Sequence, residues 1–524
     1  MRPGRARLAA MAATAATAFI ALVTSPALSQ SAQPVEAWRQ SIANHGGVMM
    51  DLDANDNVFA LGYDVNHVVT RKYSPDGTLQ WERSLADLTR ASWVSADPTG
   101  NAVVAATRIT GVNDPSGWRV VKYGPAGNVV WEDTILVASG KTVRVETDSA
   151  GNAYVVGEMA LVNEFGTFTL DTVTIKYAPN GTKLWTRVFN GGEYTTDRAA
   201  SLAISDDGSR VAVVGGSSGW AFAVVYDAQG NQVGQLLRDD LIFARDAAFG
   251  PQNQLYVGTT GGTPQTGDRM TIVKLDANGN LLFIRSYTDG DSVYRMAVDS
   301  QGNVVAAGVK DTWFNWVTLK VEPDGDRLWS QVYDGFGAND ERPFFLTIDR
   351  FDDIYVTGDG GPAPPGSIVS NTQAITVKYS STGTQEWVVM DAASARGVAV
   401  RIGTDLAVYV QGGGQMTTVR YDQVGTSSQS PPAAPSGLTV TGRTRTQISL
   451  GWVNNSTDQD GVKIQRCKGT GCTNFALVGR VNGTSTSYVD GGLVRNTTYR
   501  YRVRAYNESG NSPWSNIVAA KTRQ

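Results

Sequence analysis

The sequence predicts an all-β chain, a run of repeated four-stranded sheets followed by a small separate β-domain. Three observations predict it. Glycine is abundant, with 57 among 524 residues, and 13 tryptophans accompany only 18% charged residues, a mixture that suits short strands and tight turns better than helices. One phrase recurs: RKYSPDGTLQWERSL from Arg71, VKYGPAGNVVWEDTI from Val121, TIKYAPNGTKLWTRVF from Thr174 and VKYSSTGTQEWVVM from Val377. The repeats stop near residue 423, where a Ser/Pro/Ala-rich stretch begins.

Counting the phrase sets the architecture. The residues ending the third apolar run of each unit are Tyr73, Tyr123, Tyr177, Tyr226, Leu275, Val321, Tyr379 and Tyr421, 42–58 residues apart. Eight positions further stand Trp81, Trp131, Trp185, Gly234, Phe283, Trp329, Trp387 and Gln429. This register and spacing are those of propeller blades. Each unit also opens with a second turn, as in DPTGNAVVAA from Asp97, DSAGNAYVVG from Asp148 and DSQGNVVAAG from Asp299. A unit therefore has four strands, a to d, with hairpin turns between a and b and between c and d. The prediction is an eight-bladed β-propeller over residues 35–425, seven blades being the alternative count.

The eighth unit lacks its strand d, whereas VEAWRQSIA from Val35 has the form of a strand d with no unit before it. Trp38 precedes Asn57 by nineteen residues, as Trp81 precedes Asn101 by twenty. The N-terminal strand is expected to complete the last blade, which removes two exposed sheet edges.

Residues 1–29 read as a signal peptide. Arg2, Arg5 and Arg7 precede a small, apolar stretch, and Ala27-Leu28-Ser29 supplies a cleavage site. A membrane anchor is the competing reading, but the apolar core is short and alanine-rich for a permanent span. The expected location is secreted or extracellular, with the periplasm as the alternative. Exported proteins meet oxidising surroundings, so Cys467 and Cys472, in CKGTGC, are expected to form a small disulfide loop. They do not read as a metal site, since His45 and His67 lie far away in sequence. A net charge of −4 and a pI near 5.4 argue against nucleic acid as a general partner.

Residues 426–435 have linker composition. Beyond them come SGLTVTGRTRTQISLGWVNN, with Trp452 on an alternating strand, and TTYRYRVRAYNESGNSPWSN. Leu493, Thr497 and Tyr499 before VRAYN, the Gly510-Asn511-Ser512 turn and Ser515 make this part, bounded at 436–522, resemble a fibronectin type III domain. The resemblance implies a β-sandwich in which Tyr499 forms a structural tyrosine corner. Arg495-Asn496 stands where that family often has Pro-Gly. The repeats resemble secreted bacterial β-propeller repeats of the SBBP type, whose consensus runs roughly D-x-x-GN-x-Y-V-x-G before a K-Y strand. Their Gly-x-x-x-Trp endings are similar to the tryptophan-docking motifs of quinoprotein-type eight-bladed propellers, where they are packing devices and imply no quinone.

Catalytic patterns are weak. Neither histidine accompanies a nucleophile motif, and both read as turn or solvent residues. Most carboxylates fall in the repeated turns, and no unrepeated acidic pair stands out as a glycosidase pair. Ser74-Pro-Asp76-Gly77-Thr78 loosely resembles a sialidase Asp-box, itself a structural turn. DLDANDN at 51–57 resembles a calcium loop, but Asp56 and Gly62 occupy the positions that need Gly and Glu. No catalytic residue, metal site or cofactor is assigned.

The b–c and d–a connections share one end of the units and are long and individual, at 107–118, 157–171, 190–198 and 357–373. Variable loops on a rigid scaffold are where binding usually resides. That end carries the candidate ligand-binding residues Trp118, Trp220, Trp313 and Trp316, although Trp118 and Trp316 also read as the starts of packed c strands. Arg90, Arg198, Arg245, Arg342 and Arg396 fall where strand a begins. They form either a ring of Arg–carboxylate pairs or a cationic mouth for an anionic or hydroxylated ligand, with Arg198 and Arg342 as the binding candidates. The expectation is a secreted, monomeric, non-catalytic binding or scaffold protein for a polysaccharide or cell-surface protein. The alternative is an extracellular polysaccharide-active hydrolase or its accessory protein, by fold-level analogy.

Overall fold

The computed structural model describes residues 33–524 except Thr89, 109–115, Ala138, 163–167, Glu193, 264–266, 311–314, 335–340, 361–372, 424–431, Asp458 and 508–509. The signal-peptide assignment, most of the linker and Trp313 lie outside the described residues. The chain is all-β, with one short 3-10 turn at Pro251–Asn253.

The repeat unit is an antiparallel sheet in chain order. In unit 1 the strands are Gly46–Leu52, Val58–Tyr63, His67–Tyr73 and Leu79–Ala86. Unit 2 runs from Arg90–Ala96 to Val129–Val137, and unit 3 from Gly140–Thr147 to Lys183–Phe189. The two units from Ser292–Val298 and from Arg342–Ile348 repeat the plan. Between unit 3 and the unit that starts at Ser292, two units fuse into one seven-stranded sheet because the strand Gln232–Phe249 serves both. Its register breaks between Ile242 and Asp246, where it passes from one partner to the next. In the last sheet, Gly397–Ile402, Val408–Gly412 and Met416–Asp422 are joined by Val35–Ile42, which pairs antiparallel with Met416–Asp422 from Val35↔Asp422 to Ile42↔Met416.

Each unit's first strand packs on that of the next, and Gly397–Ile402 packs on Gly46–Leu52. Two repeated contacts join neighbouring units. Strand d tryptophans lie on the glycine of the next unit's c–d turn, which sits at positive φ and leaves no room for a side chain. A Cβ on Gly127, Gly181 or Gly230 would stand within 2.8 Å of Trp81, Trp131 or Trp185. The indole Nε1 of each donates to a turn carbonyl: Trp81 to Pro125 (3.0 Å), Trp131 to Pro179 (3.0 Å) and Trp185 to Ala228 (3.2 Å). Trp38 does the same with Gly77 and the Pro75 carbonyl (2.8 Å). Gly234 breaks the tryptophan pattern because the Asn278-Gly279 turn closes directly on it, 2.4 Å from where a Cβ would stand.

The K-Y lysines explain a second repeated feature. Lys122 Nζ lies 2.8 Å from Asp97 in the a–b turn of its own unit and donates to the Gly151 carbonyl of the next. Lys72–Asp53 and Lys320–Asp299 pair the same two positions, whereas Lys378 reaches Asp353, which stands at the turn's asparagine position. Burial works to raise the Asp97 carboxyl, but bonds from Lys122, Asn101 and Thr99 outweigh it and hold it at about 2. A carboxyl depressed on folding stabilises above its unfolded pKa and loses that effect as pH falls through the folded value. Asp97→Asn is therefore expected to cost about 2 kcal/mol at pH 7. The difference in melting temperature from wild type should shrink as pH falls from about 4 towards 2.

Residues 436–521 form the C-terminal β-sandwich. One sheet is Ser436–Arg443, Ile448–Val453 and Ser487–Asp490; the other centres on Gly461–Lys468 and Thr498–Asn507. Leu438, Leu450, Trp452, Ile464, Tyr501 and Val503 fill the space between them. The Val494 N–H donates to Tyr499 Oη at 3.0 Å, the tyrosine corner the resemblance implies. Cys467 and Cys472 are disulfide-bonded.

Candidate functional site

The fourth unit carries an exposed aromatic patch at its loop end. Ser218 and Gly219, both at positive φ, make a two-residue hairpin between Arg210–Ser217 and Trp220–Asp227. The tight turn pushes Trp220 outward, 48% exposed, beside its register partner Ile242, 50% exposed. Tyr194, 68% exposed, lies on the preceding d–a connection. Arg198 is exposed at the same end of the sheet but on its other face, since it pairs with Gly216 and, through it, with Ala221, whereas Trp220 pairs with Ser217 and, through it, with Asp197. Phe243 covers Gly216, where a Cβ would come within 2.3 Å of its ring. The Arg245 guanidinium lies 4.8 Å from the Tyr294 ring centre and 6.0 Å from that of Phe243. Aromatic faces among cations and hydroxyls on a rigid sheet end can stack on rings and bond to polar groups.

The first strands enclose a space that is already filled. The Trp93 and Phe345 rings, from units that are not neighbours, stand 6.2 Å apart, with Arg144 4.5 Å over Trp93 and Arg401 4.4 Å over Phe345. Arg144 donates to Glu146 (2.6 Å), Ser201 (2.7 Å) and Asp246 (3.3 Å), and Arg401 to Asp51 (2.8 Å). Burial pushes the Glu146 carboxyl up against the opposing pull of Arg144. Arg144 and Arg401 are thus each held by carboxylates of these first strands.

A cavity of about 430 Å³ opens at the other end, on the a–b turns, lined by Asp51, Asp53, Asp56, Asp97, Asp148 and Arg401 among others. Its carboxylates are committed. Asp53, Asp97 and Asp148 accept the backbone N–H of Asn57, Asn101 and Asn152; Asp56 accepts Thr404; Asp51 holds Arg401. The stretch 51–57 is thus a repeat turn with Lys72 on its aspartate. Among the described residues no group of three or more His, Cys, Asp or Glu is arranged to hold a metal ion. The two histidines meet at one aspartate: His67 Nδ1 lies 3.1 Å and His45 Nε2 3.6 Å from Asp64.

The structure corrects two candidates. Trp118 and Trp316 are fully buried and cannot stack on a ligand. Their rings lie on Gly157 and Gly358, the glycines of the next unit's strand b, where a Cβ would stand 2.5 and 2.7 Å away. Met416 lies on Gly62 in the same way, 2.5 Å from a Cβ there. Trp118, Met270, Trp316 and Met416 each stand five residues before the end of their run. Counting backwards as well as forwards would have marked them as repeat positions. Trp220 keeps the exposed placement its loop implied. Among the described residues, Arg245 and Arg396 lie over aromatic rings, Arg90 and Arg198 are exposed, and the half-buried Arg342 donates its backbone N–H to Asp359.

Sequence reading also missed an acidic pair at the loop end. Asp171 and Asp197 are 3% and 0% exposed. Burial first, and the charge of Asp197 second, raise the Asp171 carboxyl. Asp197 accepts the Gly191 N–H (2.9 Å) and the Thr195 hydroxyl (3.0 Å). Such a pair has the chemistry of a general acid and a carboxylate, but substrate contact requires exposure that neither has.

Comparison with known proteins adds the following. Residues 433–521 match the family model of the fibronectin type III domain. Over 102 residues, 19% of this chain, the sequence is 34% identical to a poly(3-hydroxybutyrate) depolymerase of Ralstonia pickettii, and the match spans 19% of that protein. The solved Dos1 propeller covers 74% of this chain and 95% of its own at 8% identity, with a TM-score of 0.49. The fibronectin type III domain of human fibronectin type III domain containing protein 3 covers 19% of this chain and 93% of its own at 26% identity, with a TM-score of 0.17. No helix among the described residues is long and apolar enough to cross a membrane.

Proposed function

We propose that this chain is an exported, non-catalytic binding protein whose propeller presents the loop-end patch around Trp220 to a glycan or to a glycan-bearing surface. The observation that carries the reading is the exposed apolar and aromatic set Trp220, Tyr194 and Ile242 on a rigid sheet end. The scaffold in this reading is an eight-bladed ring closed by Val35–Ile42. Two contacts that span the chain ends support it: Trp38 on Gly77 and Met416 on Gly62 repeat the inter-unit packing seen elsewhere. Export is supported by the leader-like residues 1–29 and by the disulfide. The propeller boundaries of 35–425 belong to the same proposal.

A second reading, an extracellular polymer-degrading enzyme or its accessory protein, draws on the likeness to a depolymerase and on the Asp171–Asp197 pair. The burial of both carboxylates weighs against it. Glycan-array binding of the mature protein, run beside product-release assays on polysaccharides and poly(3-hydroxybutyrate), separates the two. Binding without product release is expected. Release that Asp171→Asn abolishes, without loss of fold, would establish the enzyme instead.

A further inference from the structure

The C-terminal sandwich carries an unbalanced row of positive charge. Arg480, Lys463 and Arg504 are register partners across three adjacent strands. Their neighbours Val462, Ile464, Val503 and Ala505 are buried, so the row lies on the outer face. Like charges directly opposite one another destabilise a sheet. Burial first, then Arg480 and Arg504, push the Lys463 ammonium down to about 8. Residues 433–524 hold twelve Lys or Arg against four Asp or Glu, although the whole chain holds 45 against 49. The rest of the chain is correspondingly acidic.

The repeated units supply a counter-charge in an a–b turn. Asp352 holds the left-handed turn position (φ 68°) that is Gly100, Gly151 or Gly302 in some units and Asp56, Asn253 or Leu406 in others, and it bonds the preceding unit's turn as Asp56 bonds Thr404. A side chain adopts that conformation only at a cost. Its buried carboxylate accepts the Ser300 N–H (2.9 Å), the Ser300 hydroxyl (2.8 Å) and Arg480 Nη1 (3.0 Å); Arg480 Nη2 also bonds Ser300. We propose that Asp352 is an anchor by which the fibronectin domain, through its Arg480–Lys463–Arg504 row, is latched onto the turn end of the acidic propeller. The latch holds the domain away from the loop end and leaves the Trp220 patch open. It uses none of the residues of the binding reading, so each stands or falls alone.

The test uses the mature chain and Asp352→Gly, which gives this turn the residue that some other units use. Small-angle scattering reads the maximum dimension, and limited proteolysis reads access to the linker at 426–435. Asp352→Gly is expected to enlarge the particle and to speed linker cleavage about tenfold, the factor for one lost charge-assisted bond. Arg480→Glu should do the same. Because Asp352→Gly also removes the two Ser300 bonds between units, Arg480→Glu is the variant expected to leave the melting of the repeated units little changed. Dextran sulfate added to the wild type should compete and give the same opened profile. Wild-type dimensions and cleavage in both variants would overturn the latch. So would dextran sulfate binding to the row without any change in profile, since the row would then be free to take an external polyanion.

Discussion

Deleting residues 30–44 is expected to leave the repeated domain aggregation-prone and destabilised by more than about 4 kcal/mol, the scale of losing a packed tryptophan alone. The deletion removes the strand paired along Met416–Asp422 and exposes an unpaired edge. It also removes Trp38 from Gly77, the Arg39–Asp391 ion pair at 2.8 Å, and the Gln40 bond to the Gly77 carbonyl at 3.1 Å. Calorimetry and size-exclusion chromatography of the truncated mature protein check it. An unchanged melting transition would show that Val35–Ile42 is an accessory strand and would overturn the proposed ring closure.

Trp185→Ala is expected to destabilise by about 3–5 kcal/mol, as truncation of a large core aromatic does. The ring is buried, 6.0 Å from both Tyr154 and Tyr226, and Nε1 bonds the Ala228 carbonyl. Its face covers Gly230, whose left-handed backbone lets the turn approach this closely. Truncation opens a cavity between the third and fourth units, and Arg187 loses the ring beneath it at 5.8 Å. Denaturant melts give the measurement. A loss below about 1 kcal/mol would mean that docking on glycine is dispensable to the joint between units.

The parts legible in the sequence were those written once per unit. The strand d tryptophans, the two turn types, the form of VEAWRQSIA and the fibronectin motifs all depend on local register, which a repeat displays openly. Three features were not legible, each for a physical reason. Trp118 and Trp316 read either as loop aromatics or as packed strand starts, because the space that decides between them is made by a glycine about forty residues away, Gly157 or Gly358. Gly234 looked like a lost tryptophan, whereas the Asn278-Gly279 turn had taken its place. The lysine of each K-Y pair looked like an ordinary strand charge until its carboxylate partner in the a–b turn was placed beside it. At the site, Trp220 could be marked from its unlike surroundings. Its neighbours Ile242 and Phe243 could not, because LLRDDLIFARD gives no sign that one strand serves two units.

The binding account is tested most directly by titrating the mature wild type and Trp220→Ala against the glycan captured on an array, with melting curves on both. Trp220 is half exposed and takes part in no repeat contact, so its replacement should change stability by no more than about 0.5 kcal/mol. Affinity should fall at least about tenfold, as loss of an exposed aromatic anchor does. Unchanged affinity with an unchanged melting temperature would remove the loop-end patch as the binding surface and contradict the account.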